Sequence, residues 1–442
     1  MLLFLITLAY FAFSACTGFA AYLDLWANPG RAITSRIPMS MRFNLLWTMG
    51  LISECPIHVL AVKLGVMGLA KMFGVYSQVS RARAYLGLGP YLALAAYATD
   101  LASIAIYIYF AYSQITSWQT FAGMPQLKAK DANGEPRTAL PSLLSAEMMS
   151  QVIAPLFVPS EDTALYPDIS YNPRKTLSNN AVKRLVLKTE GLLDVIAPRG
   201  RAKKAPVVLW IHGGGWVQGS KEDPYAFPYI LARQGIVVVR MNYRKPPSYP
   251  LPAALVDVRR ALRWIHQQIE AFGGDPEWIS IAGDSAGGHL ASLAASGLAH
   301  LKEEGDDEPE IKLKAAVLIC PVTDVTTKAN GNLWQDDFPA LINSISEANA
   351  NDKINPYKSL KPDSPSMLLF HGTRDSFVPI EQSYEFVRQY KQKVTEGGKI
   401  DFVLVDGTNH FSHCFAGPKS VWQGYAAAAW LEDQWKASKK DA

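Results

Sequence analysis

The sequence predicts an α/β domain with a mostly parallel sheet flanked by helices, preceded by an N-terminal helical membrane region. Two runs in the first quarter of the chain, residues 1–23 and 84–112, carry no charge and a single charge, respectively. From about residue 181, short β-branched runs alternate with amphipathic stretches. Strands that alternate with helices form parallel sheets covered on both faces. We therefore divide the 442 residues into a membrane region (1–112), a proline-rich connector or lid (113–180) and the α/β domain (181–442).

The composition excludes several classes of protein. With 49% apolar and 19% charged residues, the chain can bury a large core and is neither disordered nor fibrous. Its four cysteines are too few and too scattered for a disulfide framework or a CxxC metal site. Residues 1–112 hold seven of the 43 basic and three of the 39 acidic residues, and therefore all of the net charge of +4. A positive charge confined to an apolar region favours a membrane interface over a nucleic-acid surface.

Each apolar run is long enough to cross a bilayer as a helix, which takes about 20 residues. The first run has no preceding basic residue and is long for a secretory signal, so we favour insertion over cleavage or a buried helix. Residues 43–75 between the runs either span, lie in the interface or pack within a small bundle. If they do not span, both basic loops share the cytoplasmic side. We favour this arrangement, which places the α/β domain on the extracytoplasmic or luminal side of the membrane.

Asp100 is the single charge within residues 84–112. An acidic residue among apolar ones can mark a transport pathway. One isolated acid without a transporter repeat predicts instead an ion pair, with Arg81 or Arg83 as partner, or exposure at the interface. The next segment, 113–180, holds seven prolines and shows little periodicity, which is typical of a connector.

The α/β domain begins with a predicted hairpin, because residues 182–187 and 192–196 flank a short turn. Buried strands follow at residues 207–211, 236–241, 279–282, 315–320, 367–370 and 402–405, and helical patterns lie at 225–233, 252–272, 286–299, 381–393 and 420–436. The carboxyl ends of parallel strands open at one edge of the sheet, where ligands bind. Residues just after these strands are therefore the candidates for chemistry.

Ser285 lies in a GDSAG sequence between a predicted strand and a predicted helix. A serine on so tight a turn needs small residues two positions before and two positions after it, because larger side chains would clash. The helix also directs its first N–H groups towards the site. The pattern predicts a nucleophile, against the alternative of a glycine-rich turn with an inert serine.

The sequence HGGGW at residues 212–216 directly follows a predicted strand. Consecutive glycines let the backbone approach a ligand closely and direct N–H groups at it. Together with the N–H of Ala286, those of Gly213 and Gly214 are predicted to form an oxyanion hole. A phosphate-binding loop is the alternative, but no Gly-Lys-Ser/Thr follows the glycines.

Three further residues of these two motifs are predicted to have supporting roles. Trp216 and Asp284 are expected to line the substrate pocket, because each is adjacent to a loop that carries the chemistry. His212 is interpreted as a residue that braces the glycine loop rather than as a base.

A serine hydroxyl becomes nucleophilic when a base lies within hydrogen-bond reach and a carboxylate orients that base. Asp375 and His410 each follow a predicted strand, so both can converge with Ser285 at one edge of the sheet. Asp324 and Asp406 are the alternatives for the acid. We favour Asp375 as the acid and His410 over His413 as the base. Such a triad requires no metal or organic cofactor.

These motifs resemble those of the hormone-sensitive-lipase-like branch of the α/β-hydrolases, which includes esterases and arylacetamide-deacetylase-like enzymes. The order Ser, Asp, His along the chain is also the order of that fold. The resemblance covers residues 180–435 and rests on residues 212–216, 242–250, 272–276, 283–288, 371–379 and His410. It implies an α/β-hydrolase fold, a Ser-His-Asp triad and an oxyanion hole in the glycine loop.

Two features depart from that family. Its usual Tyr-Arg-Leu-Ala-Pro run reads YRKPP at residues 243–247, and the segment that often forms a cap, 326–357, is short. The apolar N-terminal quarter also lies outside the common core of the family. The size of the acyl pocket is therefore not fixed by the resemblance.

We interpret the chain as a membrane-anchored serine hydrolase that cleaves carboxylic esters through an acyl-enzyme intermediate. An anchor would place the site near lipids, so lipophilic small-molecule esters are the expected substrates, with no nucleic-acid partner. Amide hydrolysis or deacetylation uses the same triad, and prenylcysteine methylesterases look similar in combining a membrane region with such a domain. A non-enzymatic scaffold is disfavoured because nucleophile, base and loop glycines are all present. A transporter is disfavoured because three candidate helices make a poor pathway.

Overall fold

The computed structural model describes residues 10, 12–19, 22, 52, 54–72, 75, 89–128, 140–142, 145–153, 160, 162–171, 190–200, 204–297, 311–325 and 354–440. The predicted strand at 182–187 and most of the predicted cap at 326–357 lie outside the described residues. The same holds for most of residues 24–53 and for Arg81 and Arg83.

A mostly parallel sheet forms the centre of the described part of the chain. Its eight strands are β1 (Thr163–Ser170), β2 (Leu192–Pro198), β3 (Ala205–Ile211), β4 (Val237–Met241), β5 (Gly274–Asp284), β6 (Ala315–Ile319), β7 (Ser366–Gly372) and β8 (Ile400–Val405). They lie side by side in the order β1-β2-β4-β3-β5-β6-β7-β8. Strand β2 is antiparallel to both β1 and β4, and the other neighbours are parallel.

Helices cover both faces of this sheet. Residues 12–19 are helical, and the helices with defined ends are α1 (Pro56–Met72), α2 (Gly89–Ala122), α3 (Pro125–Lys128), α4 (Ala146–Ile153), α5 (Ala226–Arg233), α6 (Leu251–Gln268), α7 (Ser285–Ala295), α8 (Pro356–Ser359), α9 (Ile380–Lys393) and α10 (Pro418–Lys440). Short 3-10 helices lie at Ile269–Phe272 and Ser412–Cys414. Helices α5 and α10 pack together on one face, and α6 and α7 pack on the other.

Strand β3 shows why both faces are covered. Its residues are all buried and they alternate between two hydrophobic clusters. Val207, Leu209 and Ile211 contact the cluster that includes α6 and α7, whereas Val208 and Trp210 contact the cluster that includes α5 and α10. Successive side chains of a strand point to opposite faces, so an uninterrupted apolar strand needs an apolar layer on each side.

The strands and helices predicted within residues 181–442 that fall on described residues are confirmed, with end points shifted by five residues or fewer. Two segment boundaries differ from expectation. Helix α2 continues to Ala122, ten residues into the predicted connector, and β1 forms within the same segment and supplies an edge of the sheet. The exposed middle of β1 lacks the apolar run that marks a buried strand. Strand β2 is paired by β1 on one side and by β4 on the other.

Helix α2 packs directly against the α/β domain. The hydroxyl of Thr116 donates a hydrogen bond to Asp406 Oδ2 at 2.9 Å, just after β8. The guanidinium of Arg374, just after β7, donates to the hydroxyl of Tyr109 at 3.1 Å and lies over its ring. The N-terminal helical region is therefore joined by side chains to the two loops at the carboxyl ends of β7 and β8.

A buried ion pair connects α1 to α2. The ammonium of Lys63 lies 2.6 Å from Asp100 Oδ1, and both side chains are at most 1% exposed. Tyr10 donates a further hydrogen bond to Asp100, and Lys63 donates to Thr17 Oγ1 at 3.0 Å. The prediction of an ion pair for Asp100 is confirmed, but the partner is Lys63 on the neighbouring helix.

The outer face of the same two helices is apolar. On α2, exposed Leu101, Ile108, Tyr112 and Ile115 follow one another at helical spacing and form a continuous stripe. On α1, the exposed large apolar residues are Ile57, Val62, Leu64, Leu69 and Met72. Among the residues that the structure describes, no helix combines the length and the apolar character that crossing a bilayer requires.

Candidate active site

Ser285 lies on a strained turn between β5 and α7. Its φ is +51°, a left-handed conformation that non-glycine residues seldom adopt. The flanking glycines are explained by close backbone packing. A Cβ at Gly287 would lie 2.1 Å from the carbonyl oxygen of Ile211, and a Cβ at Gly283 would lie 2.6 Å from the backbone of Gly287. The tight turn that carries Ser285 therefore depends on neighbours without side chains.

The structure brings Ser285, His410 and Asp375 into one hydrogen-bonded chain. The hydroxyl of Ser285 lies 2.8 Å from Nε2 of His410, and Nδ1 of His410 lies 2.8 Å from Oδ2 of Asp375. All three side chains are buried. An ionised carboxylate only accepts hydrogen bonds, so Nδ1 carries the proton and Nε2 is left to accept the proton of the serine.

The loop after β7 fixes the orientation of Asp375. Its Oδ1 accepts hydrogen bonds from the backbone N–H groups of Phe377 at 2.9 Å and Val378 at 2.7 Å. Burial alone would raise the pKa of Asp375, but the charge of His410 and hydrogen bonds from His371 and His410 hold that pKa well below its usual range. The carboxylate therefore stays ionised, and its Oδ2 faces the imidazole.

The two alternative acids lie in other environments. Asp406 accepts hydrogen bonds from Thr116 and, at 3.3 Å, from Thr373. The backbone N–H of Asp324 donates to the side chain of Gln382 at 3.1 Å. Of the three candidate acids, Asp375 is the one that makes the hydrogen bond to His410 Nδ1.

The glycine loop after β3 differs from expectation at one residue. The N–H of Gly213 donates to Oδ1 of Asp284 at 2.9 Å, so it is not available to an oxyanion. Gly214 and Gly215 line the cavity beside Ser285 and have φ values of +105° and +59°. Ala286 follows the nucleophile in the first turn of α7, where backbone N–H groups lack helical partners. The candidate donors are therefore the N–H groups of Gly214, Gly215 and Ala286.

His212 is part of the support of this loop. Its Nδ1 lies 2.7 Å from the carbonyl oxygen of Gly213. The hydroxyl of Tyr243 donates a hydrogen bond to the carbonyl oxygen of His212 at 3.1 Å. The rings of His212 and Tyr243 are stacked with centroids 4.6 Å apart. Burial lowers the pKa of His212 to about 3, so the ring is neutral and Nδ1 donates its proton.

A cavity of about 280 Å³ opens at Ser285 and His410. Its wall is formed by glycines 214, 215 and 219 together with Gln218, Asp223, Pro224, Tyr225, Asp284, Phe377, Phe411, His413 and Cys414. Asp284 lines it, as expected from the sequence. Trp216 does not line this cavity: its ring is fully buried, and its Nε1–H donates to Nδ1 of His289 on α7 at 3.2 Å.

Two residues near the triad, His413 and Cys320, were not assigned a role from the sequence. His413 Nε2 lies 3.0 Å from Oδ2 of Asp284, and Cys320 Sγ lies 3.9 Å from His413 Nδ1. His413 was visible in the sequence only as a competitor of His410 for the base. No sequence pattern indicated that His413 bonds to Asp284, because the two residues lie 129 positions apart in the chain.

Cys320, Asp375 and His410 form a compact cluster of groups that can ligate metals, with ligand atoms within 4.8 Å of one another. Asp375 and His410 already bond to each other, and the thiol of Cys320 lies 3.7 Å from the carbonyl oxygen of His410. A metal ion here would have to replace the hydrogen bond that orients His410. We therefore assign no metal role to this cluster.

Comparison with known proteins points to hydrolases of esters. A family model described as BD-FAE matches residues 193–390. The chain is similar to the probable carboxylic ester hydrolase LipM of Mycobacterium tuberculosis, with 35% identity over 42% of this chain and 45% of that protein. It is also similar to the probable isoprenylcysteine alpha-carbonyl methylesterase ICMEL1 of Oryza sativa, with 29% identity over 49% of this chain and 53% of that protein.

Among solved structures, esterase B from Lactobacillus Rhamnosis aligns with 66% of this chain and 93% of its own, with a TM-score of 0.51 and 24% sequence identity. At that identity the likeness concerns the fold. The chain spans about half the length of the curated relatives LipM and LipQ that it matches. The part that the family model matches contains strands β3 to β7 and the loops that carry Ser285 and Asp375.

Proposed function

We propose that this chain is an esterase of the α/β-hydrolase family, a serine hydrolase that cleaves carboxylic esters; the match to the family model and the similarity to curated esterases support this. The observation that carries the proposal is the chain of two 2.8 Å hydrogen bonds from Ser285 through His410 to Asp375. This arrangement supplies a nucleophile, a base in reach of its proton and a carboxylate that orients the base.

In the proposed reaction, Oγ of Ser285 attacks the ester carbonyl carbon while Nε2 of His410 takes the hydroxyl proton. Asp375 holds the imidazole in the required tautomer and stabilises its positive charge. The carbonyl oxygen becomes an oxyanion, stabilised by the N–H groups of Gly214, Gly215 and Ala286. When the tetrahedral intermediate collapses, His410 returns the proton to the leaving alcohol and an acyl-enzyme remains. Water, deprotonated by His410, then releases the acid and restores Ser285.

The test is hydrolysis of a series of p-nitrophenyl esters of increasing acyl chain length. We expect Ser285→Ala to lower kcat/KM by about 10⁴-fold or more, because the residual rate comes from binding and the oxyanion donors alone. Ser292→Ala is the matched control: this serine lies on the same helix, buried, with its hydroxyl bonded to the carbonyl oxygen of Gly288. It should retain activity. A folded wild-type protein that hydrolyses none of the esters contradicts the proposal.

Amide hydrolysis is the alternative reaction for the same triad. An amine leaves less readily than an alcohol and must receive its proton from His410 before the C–N bond breaks. We therefore expect matched ester and anilide substrates to separate the two activities, with the ester hydrolysed faster. A higher kcat/KM on the anilide would assign the protein to the amide hydrolases.

We further propose that helices α1 and α2 contact lipid through their apolar outer face. In a soluble helical bundle the apolar side chains lie inside and the polar ones outside, and these two helices show the opposite distribution. The charges of Lys63 and Asp100 and the hydroxyls of Ser103 and Ser117 are buried, while the stripe formed by Leu101, Ile108, Tyr112 and Ile115 is exposed. Exposed apolar surfaces of this kind mark interaction sites. The six basic residues other than Lys63 among residues 1–112 would add attraction to anionic lipid.

Flotation of the purified protein with vesicles of phosphatidylcholine and phosphatidylserine tests this contact. We expect Ile108→Asp to weaken flotation, because a carboxylate would enter the lipid-facing stripe. Leu165→Asp is the matched control, since Leu165 is 45% exposed on β1, far along the chain from both helices. Equal flotation of the two variants would contradict the proposed face. The extracytoplasmic or luminal side for the α/β domain stays a prediction.

A further inference from the structure

His413 is connected to the glycine loop through a single buried carboxylate. Oδ2 of Asp284 lies 3.0 Å from Nε2 of His413, and Oδ1 of Asp284 accepts the N–H of Gly213 at 2.9 Å. The carboxylate can only accept, so Nε2 of His413 carries a proton and donates it. His413 and Asp284 are 4% and 2% exposed. The two hydrogen bonds therefore fix both oxygens of Asp284 in one orientation.

The surroundings of His413 keep its imidazole in place. Its ring is stacked on Tyr225, with centroids 5.9 Å apart and an angle of 16° between the planes. The thiol of Cys320 lies 3.9 Å from Nδ1 of His413, and the thiol of Cys414 lies 3.7 Å from Nε2. Burial alone would lower the pKa of His413, but the two neighbouring thiols and the hydrogen bond to Asp284 raise that pKa well above its ordinary value. The environment thus favours donation to Asp284.

The glycine loop needs such an anchor. Gly214 and Gly215 both have positive φ, and glycine adopts several conformations of similar free energy. Asp284 bonds to the N–H of Gly213 and His212 bonds to the carbonyl oxygen of Gly213. The carbonyl oxygen of Gly214 accepts hydrogen bonds from the backbone N–H groups of Val217 and Gln218. The N–H of Gly214 shares a planar peptide with the carbonyl of Gly213, and the N–H of Gly215 shares one with the carbonyl of Gly214. These contacts therefore define the direction of both N–H groups, and Asp284 fixes the point at which the glycine run begins.

We propose that His413 is a positioning residue for the oxyanion loop: by holding Asp284 in place, it fixes the Gly213 peptide and directs the N–H groups of Gly214 and Gly215 at the reacting carbonyl. The inference rests on the proposed ester hydrolysis. His413 does not touch the substrate carbonyl or exchange a proton with it in this role. It acts on the transition state through Asp284 and the loop.

The test compares two substitutions of His413 in the full-length protein. In His413→Gln the side-chain amide can still donate to Asp284 Oδ2, whereas His413→Phe keeps a flat ring against Tyr225 but has no donor. An oxyanion donor contributes about 10²-fold or more in kcat, and small misplacements near a reacting group also cost up to about 10²-fold. We expect the Phe variant to lose about 10- to 100-fold in kcat with KM within about threefold of wild type, and the Gln variant to recover most of that loss.

Thermal unfolding, followed by circular dichroism, separates positioning from packing. His413→Asn serves as a second variant without reach to Asp284, in case the Phe variant does not fold. If His413 had a purely structural role, kcat would decrease in proportion to the loss of melting temperature in every variant, and His413→Gln would not recover kcat. A folded Phe or Asn variant with wild-type kcat overturns the proposal. If the wild type itself hydrolyses no ester and Ser285 does not react with a p-nitrophenyl phosphonate, the proposed function fails, and this inference with it.

Discussion

His410 lies between two groups that act on its charge in opposite directions. Burial lowers the pKa of an imidazole, whereas the negative charge of Asp375 and the nearby thiol of Cys320 raise it, and the net direction for His410 is upward. A base must be unprotonated at Nε2 to accept the proton of Ser285. The proposed activity should therefore increase as the pH rises through the pKa of His410.

The first prediction at this scale concerns that pH dependence. The acid limb of the kcat/KM profile should have a midpoint above about 6.5, the ordinary value for histidine. In Asp375→Asn, the limb should move to lower pH because the raising charge is gone, and kcat should fall by about 10⁴-fold because the tautomer of His410 is no longer fixed. The profile is measured with a short-chain p-nitrophenyl ester. A wild-type midpoint clearly below 6.5 would contradict the prediction.

The triad was predictable from the sequence for a geometric reason. Ser285, Asp375 and His410 each follow a parallel strand, and the carboxyl ends of such strands meet at one edge of the sheet. The direction of individual N–H groups was not predictable in this way. The N–H of Gly213 donates to Asp284, which lies 71 positions away in the chain. Only the folded structure shows which glycine N–H is occupied by this hydrogen bond. Trp216 was misassigned for the same reason, because its partner His289 lies on α7.

Among the elements, α1 and α2 depend on a buried ion pair. Lys63 and Asp100 are 1% and 0% exposed, and removal of one partner leaves an uncompensated charge in an apolar bundle. Breaking a buried pair in this way typically costs about 3–5 kcal/mol, while replacing both members by apolar residues is often close to neutral.

We therefore predict that Lys63→Met destabilises the N-terminal helices by about 3 kcal/mol or more, and that the double variant Lys63→Met/Asp100→Leu recovers most of the loss. Denaturant unfolding of the full chain in detergent measures both values, and limited proteolysis reports where the chain opens first. If the single and double variants were equally destabilised, the ion pair would not be the source of the effect.

Element boundaries were predicted well where apolar periodicity is strong and poorly where it is weak. The buried strands β3, β4 and β6 read directly as short β-branched runs. Strand β1 was missed because four consecutive residues in its middle are exposed, so it lacks the pattern of a buried strand. The C-terminal end of α2 was placed too early because its last turns bury polar residues, among them Ser113 and Ser117.

In the molecule as a whole, α2 belongs to both the N-terminal region and the surface of the α/β domain. Tyr109 on this helix accepts a hydrogen bond from Arg374, the residue just before Asp375. We predict that Tyr109→Ala lowers kcat several-fold by loosening the loop that carries Asp375, since small displacements of a catalytic group have large effects. Tyr109→Phe should retain most of the activity because its ring still lies against the guanidinium.

Tyr112→Ala is the control for that prediction, since Tyr112 lies one turn away on α2 and is 61% exposed. It should leave kcat unchanged in detergent. Steady-state kinetics of the three variants, with melting temperatures measured in parallel, checks the comparison. Equal kcat for Tyr109→Ala and Tyr112→Ala would show that the contact between α2 and the loop after β7 has no influence on catalysis.

Helix α2 is uninterrupted over 34 residues, which corresponds to a length of about 50 Å. It presents Leu101 and Ile108 outward, and Tyr109, the residue after Ile108, contacts Arg374 in the loop beside Asp375. An α-helix has a fixed rise per residue. The distance of Ser285 from a bilayer that contacts those apolar side chains would therefore be constant. Under the proposed lipid contact, esters of equal intrinsic reactivity should then be hydrolysed at rates that depend on how far their carbonyl lies from the hydrocarbon of the bilayer.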